Sequence, residues 1–328
     1  MLSARKIFLV FLSLVALTAN AESGLGGGFS RRAGVPSDAM ERRHPEAQNE
    51  PKGDRPLKGG RGVEIKESFC NALQNDVEFL CDSICAGRAS RTSGGSEATM
   101  YLVRRFREMG YKPFVQGFGK GRNVYVQTPG TAPSGGYIVV MAYYDGLGVQ
   151  NGSLYPGADS NASGVAALLA LAEELKGVRG VIFAAVDAHR ANSAGAKALY
   201  NKLKGRKIAL VMNLDILGGD NPAKYSYWKD FLMVLGGERY KTLAEKANRG
   251  VALHLYYDYF GSRTFTELFY RKTGEHKVFM DAGIPTVVLT SGITTRVNSP
   301  ADTPDTINYP ILEKRVKFIS NWIRNYGR

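Results

Sequence analysis

Five short polar segments of this sequence carry the side chains that metal binding and acid–base chemistry require. In chain order they are 142–145 (Ala-Tyr-Tyr-Asp), 157–164 (Gly-Ala-Asp-Ser-Asn-Ala-Ser-Gly), 186–190 (Val-Asp-Ala-His-Arg), 213–215 (Asn-Leu-Asp) and 298–303 (Asn-Ser-Pro-Ala-Asp-Thr). Carboxylates and imidazoles are common ligands of divalent metals and common proton carriers. The segments are therefore candidates for one metal or acid–base site.

Each segment taken alone also has an ordinary structural explanation. Asp159 and Asn161 precede a predicted helix and are typical N-cap residues. Asp215 could accept hydrogen bonds from backbone amides at a strand end, and Asp302 followed by Thr303 is typical of a turn. The functional information therefore lies in the order of the segments along the chain.

The apolar stretches between these segments predict alternating strands and helices. Strands are predicted at 124–127, 137–142, 181–186, 208–214, 231–235 and 286–289, and helices at 96–110, 165–175, 194–203 and 311–326. This alternation is typical of an α/β fold with a mostly parallel central sheet flanked by helices on both faces. Ligands of such sheets bind at the carboxyl ends of the strands, so we expect the polar segments to meet there.

In this order the segments resemble the motifs of the M28 zinc exopeptidases, which include bacterial aminopeptidases and glutaminyl cyclases. Residues 157–164 match the family pattern Gly-Ala-Asp-Asp-Asn-Ala-Ser-Gly at seven of eight positions. Residues 213–215 match Asn-x-Asp, residues 274–279 resemble Ser-Asp-His-x-x-Phe, and residues 299–303 match the end of a late His-Thr-Pro-x-Asp-Thr motif. The resemblance runs from about residue 70 to the C-terminus and implies the zinc exopeptidase fold.

The positions that would hold metal depart from the family pattern. Active members bind two zinc ions through two His, a bridging Asp, a Glu and a second Asp, with a further Glu as general base. The resemblance keeps the two aspartate ligands as Asp159 and Asp215, and it keeps Asp145, which would orient the first histidine. The two histidine ligands, the glutamate ligand and the base are replaced, respectively, by Tyr143, Asn298, Arg190 and His189.

These replacements predict a weak or absent zinc site, and we expect no bound cofactor. A catalytic zinc needs three ligands drawn from His, Cys and carboxylate. An arginine has no lone pair and stays positively charged, and a phenol stays protonated near neutral pH. Because two buried carboxylates without counter-charge would be unstable, we expect Arg190 to occupy the former metal space and pair with Asp159, Asp215 or both.

A glutamate and two histidines complete the candidate site. His189, at the position of the general base, has a side chain that can move protons near neutral pH. A Ser–His pair with Ser160 or Ser163 is less favoured than helix capping by these serines. Glu275 and His276 fall where the resemblance implies cleft-lining residues, with simple packing as the alternative for His276.

The resemblance and its departures together predict a catalytically inactive M28-like protein, a pseudo-peptidase, that binds a peptide or an amine-bearing ligand in the former active-site cleft. The candidate binding residues are Tyr143, Asp145, Asp159, His189, Arg190, Asp215, Glu275, His276 and Asn298. The alternative is an active zinc aminopeptidase with an altered ligand set, namely Asp159, Asp215, His189 and His276. A third possibility is a structural or adhesive secreted protein.

The beginning of the chain predicts export. Two basic residues, Arg5 and Lys6, precede an apolar stretch at 7–17, and Ala19-Asn20-Ala21 forms a small-x-small cleavage pattern. We therefore predict a signal peptide at 1–21 and a periplasmic or extracellular location. Residues 22–65 are rich in Gly, Pro and charges and predict a flexible linker, so the M28-like domain is expected at 66–328.

Composition and charge limit the expected partners. The chain has 328 residues, 43 Lys and Arg against 30 Asp and Glu, and a net charge of +13. The basic residues are scattered and not interleaved with aromatics, so nucleic acid is not an expected partner. No segment after the predicted signal reaches the length of about 18 apolar residues that a membrane span needs. For an exported chain, three cysteines (Cys70, Cys81 and Cys85) predict one disulfide and one free thiol, with the pairing left open.

Overall fold

The computed structural model of the chain describes residues 69–220 and 230–327. Its helices are α1 (Phe69–Cys81), α2 (Ser93–Glu108), α3 (Ser163–Glu174), α4 (Ala194–Leu203), α5 (Lys241–Asn248), α6 (Arg263–Thr266), α7 (His276–Asp281) and α8 (Tyr309–Asn325). Its strands are β1 (Phe114–Phe118), β2 (Gly121–Gln127), β3 (Tyr137–Tyr143), β4 (Gly148–Gln150), β5 (Ser153–Tyr155), β6 (Val181–Val186), β7 (Ile208–Leu214), β8 (Phe231–Leu235), β9 (His254–Tyr256) and β10 (Thr286–Thr290). The predicted signal peptide and linker lie outside the described residues.

Eight of these strands form one sheet in the order β1-β2-β6-β3-β7-β10-β8-β9, and β4 pairs with β5 in a separate hairpin. The central strands β6, β3, β7 and β10 run parallel to one another. Strands β2 and β8 are antiparallel to their neighbours β6 and β10. The predicted α/β fold with a mostly parallel sheet flanked by helices is confirmed.

The central strands are mostly apolar because helices cover both faces of the sheet. Every residue of β6 (Val181–Val186) is buried, as expected for a parallel strand covered on both sides. The larger core packs one face against α1, α2, α3, α5 and α8. A second core packs the other face against α4 and α7.

The fully buried Arg88 fixes the loops that follow the central strands. Its guanidinium donates hydrogen bonds to the carbonyls of Tyr144 at 2.9 Å, Pro156 at 2.7 Å and Gly157 at 2.9 Å, and also to the carbonyl of Leu80. One side chain therefore links the end of α1, the end of β3 and the turn that precedes α3. A buried arginine is tolerated here because backbone carbonyls occupy its donors.

The predicted disulfide is wrong for the described structure, where all three cysteines are free thiols. Cys70 and Cys81 lie at opposite ends of α1, about 16 Å apart at 1.5 Å per residue, and that is beyond the reach of a disulfide. The Cys70 thiol instead donates to Oε2 of Glu313 at 2.8 Å. Burial raises the pKa of Cys81 and of Cys85 to about 11, so both are protonated near neutral pH.

None of the helices in the described ranges has the length and apolar character needed to cross a membrane.

Candidate functional site

Most of the predicted site residues meet at one edge of the sheet. Tyr143 ends β3 and Asp145 follows it, His189 lies three residues beyond β6, and Asp215 directly follows β7. These strands are parallel neighbours, so their carboxyl ends open on the same side. Glu275 reaches this edge from the residue before α7.

His189 is held between an aromatic ring and a carboxylate. Its imidazole stacks on the Tyr143 ring with centroids 4.1 Å apart and an interplanar angle of 13°. Its Nδ1 lies 2.5 Å from Oε1 of Glu275, which is fully buried. The backbone N–H of His189 donates to Oδ1 of Asp145 at 2.9 Å. The backbone amide, the ring face and Nδ1 of His189 therefore each have a partner that fixes the orientation of the imidazole.

This environment makes His189 an imidazolium at neutral pH. Burial alone would lower the pKa of His189, but the Glu275 carboxylate outweighs it and raises the pKa to about 9. Burial alone would raise the pKa of Glu275. The positive charge of His189 and the hydrogen bond to it outweigh burial, so the pKa of Glu275 is lowered. A protonated Nδ1 has no lone pair for a metal or for accepting a proton.

The neighbouring acids titrate near neutral pH. Burial, with the nearby carboxylate of Glu275, raises the pKa of Asp145 and that of Asp215 to about 6, while His189 acts in the opposite direction on both. Burial and the charge of Asp215 raise the pKa of Tyr143 well above its usual value of 10. Tyr143 is therefore a neutral phenol, and its hydroxyl lies 3.1 Å from Oγ of Ser160.

Arg190 does not pair with Asp159 or Asp215, so that expectation is wrong. Its Nη2 donates to Oδ1 of Asn298 at 2.5 Å. Its Nε is buried and has no hydrogen-bond partner among the described residues. Arg190 and Asn298 thus bind each other, and no carboxylate lies within ion-pair distance of Arg190 in the described part of the chain.

Only one oxygen of the Asp159 carboxylate is hydrogen-bonded, since its buried Oδ2 has no partner among the described residues. Its Oδ1 accepts hydrogen bonds from the Gly218 amide at 2.7 Å and the Ser163 hydroxyl at 3.1 Å. Burial, with the nearby Asp302 carboxylate, raises the pKa of Asp159 to about 7, and Arg315 of α8 acts to lower it. Arg315, and not Arg190, is thus the cation that lowers the pKa of Asp159, and it does so without forming an ion pair with it.

Arg315 is fully buried and holds the turn that Asp159 binds. Its Nη1 donates to the carbonyl of Leu217 at 2.5 Å and that of Gly219 at 3.0 Å, and its Nε donates to Phe231 at 3.0 Å. The carboxylate and the guanidinium therefore contact the same turn, 217–219. Arg315 was not among the predicted site residues, although Leu312, Val316 and Ile319 place it on the apolar face of α8.

The residues expected to cap α3 have other roles. The side chain of Asn161 donates to the carbonyl of Tyr143 at 3.2 Å and that of Leu214 at 3.0 Å, so it joins the ends of β3 and β7. The N-cap of α3 is Ala162, which forms no side-chain cap hydrogen bond. The carboxylate of Asp302 accepts from the Asp159 amide at 2.8 Å. The two expected cap roles are therefore replaced by contacts that assemble the site, whereas Asp302 does close the predicted turn, its amide donating to the Ser299 carbonyl at 3.1 Å.

His276 is packed away from the central cluster. It is 1% exposed, its Nε2 lies 2.7 Å from the carbonyl of Tyr270, and its ring stacks on Tyr270 at 5.6 Å. Asn213, which the Asn-x-Asp motif singles out, is also fully buried, and neither polar atom of its side chain has a described partner. Packing is thus the better explanation for His276.

The side chains at this edge of the sheet do not form the zinc site that the family resemblance implies. The described residues contain no group of three or more His, Cys, Asp or Glu placed to hold a metal ion. The altered ligand set of His189, His276 and two aspartates is therefore not assembled. Position 143 offers a phenol and position 190 a guanidinium, which has no lone pair to donate, so these two side chains do not fit a zinc site.

The sequence profile of Peptidase family M28 matches residues 123–323. LapB from Legionella pneumophila is a similar solved structure, with 17% identity, a TM-score of 0.64 and coverage of 82% of this chain and 76% of that chain. The glutaminyl cyclase of Fimbriiglobus ruber has 19% identity, a TM-score of 0.63 and coverage of 83% and 99%. An aminopeptidase from Aneurinibacillus sp. strain AM-1 has 14% identity, a TM-score of 0.62 and coverage of 80% and 95%. No curated protein matches the chain significantly.

Proposed function

This chain belongs to Peptidase family M28, and we propose that it is a non-hydrolytic member that binds a peptide or another amine-bearing ligand at the carboxyl edge of its sheet. The observation that carries the proposal is the contact between Arg190 and Asn298. Both positions would supply zinc ligands in active relatives. Here one carries a permanent cation and the other is hydrogen-bonded to it, so neither is free to bind a metal.

Charge favours an ammonium group as the ligand. The central cluster contains three carboxylates, Asp145, Asp215 and Glu275, and two cations, His189 and Arg190. One further positive charge would balance these groups, and the α-amino group of a peptide supplies one charge together with three hydrogen-bond donors. Asp215 is the half-buried acid that is reachable from outside, so we assign it the direct contact.

Metal content and hydrolysis test the loss of catalysis. Purified protein dialysed against zinc should retain well below one zinc per chain, and leucine p-nitroanilide should not be cleaved. A triple variant, Tyr143→His, Arg190→Glu and Asn298→His, restores the ligand types and should take up more zinc than the natural chain. Firmly bound zinc in the natural chain, together with cleavage, would refute the proposal and support an active aminopeptidase.

Calorimetry with trialanine tests amine binding separately. Trialanine with a free N-terminus should bind, and N-acetyl-trialanine should not, because acetylation removes the charge. Asp215→Asn should weaken binding by about tenfold, as expected for one charged hydrogen bond. Asp281→Asn is a control, because Asp281 is an exposed acid at the end of α7. Equal binding of the free and acetylated peptides would contradict the assignment.

We also propose that the chain is exported by its N-terminal segment, as Arg5, Lys6 and the apolar stretch 7–17 predict. N-terminal sequencing of the protein expressed at full length, in a bacterium with a secretory pathway, tests this. A mature chain starting near residue 22 in the exported fraction is the expected result. Retention of Met1 on a chain that stays in the cytoplasm would contradict it.

A further inference from the structure

A polar cavity of about 320 Å³ lies beside the central cluster, on the β2 side of the sheet. It is formed by the first turns of α2 and by the turn that joins β1 to β2. Asp187 lines it and lies two residues before His189, so the cavity opens close to the proposed amine site without sharing its side chains.

Two arginines give this cavity a positive charge. Arg91 and Arg122 both line it and are exposed. Within the described ranges neither forms an ion pair with a carboxylate, and the contact of the Arg122 side chain is with Oγ of Ser96, at 3.4 Å. A guanidinium group presents parallel N–H donors, and two such groups without a carboxylate partner are suited to bind the oxygen atoms of an anion.

The acid that lines the cavity does not neutralise these arginines. Oδ1 of Asp187 accepts hydrogen bonds from the Ser90 hydroxyl at 2.6 Å and from the Ala188 amide at 2.7 Å. Its Oδ2 accepts from the backbone amide of Arg122 at 2.9 Å. Asp187 is 5% exposed, and both oxygens of its carboxylate are occupied by these hydrogen bonds, which hold the loops together.

Contacts with buried groups hold the backbone that carries Arg122. The buried hydroxyl of Tyr144 donates to the carbonyl of Arg122 at 2.7 Å. A Cβ at Gly121 would fall 2.2 Å from Oδ2 of Asp187, so this turn approaches Asp187 as closely as glycine allows. Arg91 has a left-handed backbone with φ of +65°. Little backbone ordering is therefore needed when a ligand binds.

We infer that this cavity binds an oxyanion, namely a carboxylate, sulfate or phosphate group, between the guanidinium groups of Arg91 and Arg122. Both arginines are needed because each supplies a fork of parallel N–H donors to a planar or tetrahedral anion. The inference does not depend on amine binding, since the cavity and the central cluster use different side chains.

Titration calorimetry with sodium sulfate and sodium succinate at low ionic strength tests this inference on the full chain. Each probe should bind saturably. Arg91→Gln and Arg122→Gln keep the stem of the side chain and remove its charge, and each should weaken binding by about tenfold. The lysine variants keep the charge but lose the fork, and they should fall between the natural chain and the glutamine variants.

A matched control separates the site from the general positive charge of the protein. Arg107 and Arg249 are exposed arginines elsewhere on the domain, so the double variant Arg107→Gln, Arg249→Gln removes the same charge as Arg91→Gln, Arg122→Gln. The control pair should bind sulfate like the natural chain. No saturable binding of either probe, or equal weakening in both double variants, would show an adventitious ion only and overturn the inference.

Two further measurements identify the source of the anion and keep this inference separate from the proposed function. The tripeptides Ala-Ala-Asp and Ala-Ala-Asn, both amidated at the C-terminus, distinguish a peptide carboxylate from a free inorganic anion. Tighter binding of the Asp peptide that disappears in the double variant Arg91→Gln, Arg122→Gln indicates a peptide ligand. Equal peptide binding with arginine-dependent sulfate binding indicates the free anion, and both results support the site. Asp215→Asn should leave sulfate binding unchanged, and a loss there would overturn its independence from the amine site.

Discussion

Replacing Glu275 by Gln tests whether the His189–Glu275 contact is an ion pair. Glu275 is fully buried, and its Oε1 lies 2.5 Å from Nδ1 of His189, whose side chain is 26% exposed. Gln has nearly the same shape without the charge. We expect the substitution to lower the pKa of His189 from about 9 to its ordinary value of about 6.5 or below, because burial then acts on the imidazole without the Glu275 charge that opposes it.

The size of the effect follows from the pKa. One pKa unit corresponds to about 1.4 kcal/mol, so the rise of the His189 pKa from 6.5 to about 9 represents about 3 kcal/mol of the unfolding free energy. Because the pKa is raised in the folded state, this contribution is complete below about pH 6.5 and is lost as the pH rises through about 9. The Glu275 pKa is lowered, so its contribution is present above about pH 4.5 and is lost on further acidification.

Guanidinium unfolding between about pH 6 and about pH 10 measures this contribution. The difference in unfolding free energy between the natural chain and Glu275→Gln should shrink by about 3 kcal/mol across that interval. The control is Glu267→Gln, an exposed glutamate on the π-helical turn after α6, which should show no such pH dependence. NMR titration of the imidazoles gives the pKa directly. A His189 pKa near 6.5 in the natural chain, or one unchanged by Glu275→Gln, would refute the reasoning.

Three further outcomes are expected. In urea unfolding, Gly274→Ala should destabilise the fold by about 2 kcal/mol more than Gly283→Ala. Both glycines have a positive φ, but only at Gly274 would the added Cβ meet a buried ring, that of His276, at 2.8 Å. Equal losses in the two variants would contradict this reasoning. Arg315→Leu should lower the unfolding free energy by about 3 to 5 kcal/mol, because three buried carbonyls lose their hydrogen-bond donor. The control Arg249→Leu, at an exposed arginine, should lower it by under about 0.5 kcal/mol. Similar losses in the two variants would count against a structural role of Arg315. Under denaturing, non-reducing conditions each chain should present three reactive thiols, and a single thiol would reveal a disulfide.

The fold was predictable where apolar periodicity and burial coincide. The predicted strands at 181–186, 208–214 and 231–235 and the helix at 194–203 have the observed ends. The edge strand Phe114–Phe118 was missed because it is largely exposed and contains glycine, so it shows no clear alternation. The first helix was also missed, although Leu73, Val77 and Leu80 recur with helical spacing.

The site was predictable only in its location. The rule that ligands bind at the carboxyl ends of parallel strands brought Tyr143, Asp145, His189 and Asp215 together correctly. The partners of individual side chains were not predictable, because they come from distant parts of the chain. His189 and Glu275 are 86 residues apart.

Arg190 illustrates the same limit. A charge argument required a cation near the buried carboxylates but could not identify which one. The sequence places Arg190 among them, whereas the direction of its side chain depends on Asn298, 108 residues away. Arg315 supplies the charge near Asp159 from the C-terminal helix instead. Buried charges are compensated by whichever element is adjacent in space, and that is set by packing.

The bond between Arg190 and Asn298 couples positions 190 and 298. A glutamate at position 190 alone would leave Asn298 without its donor and add an acid to a region already rich in acids. A histidine at position 298 alone could accept from the guanidinium only as the neutral imidazole, because an imidazolium would be repelled by it. The effects of substitutions at these two positions should therefore not add, and a variant that changes both is expected to differ in stability from the sum of the two single variants.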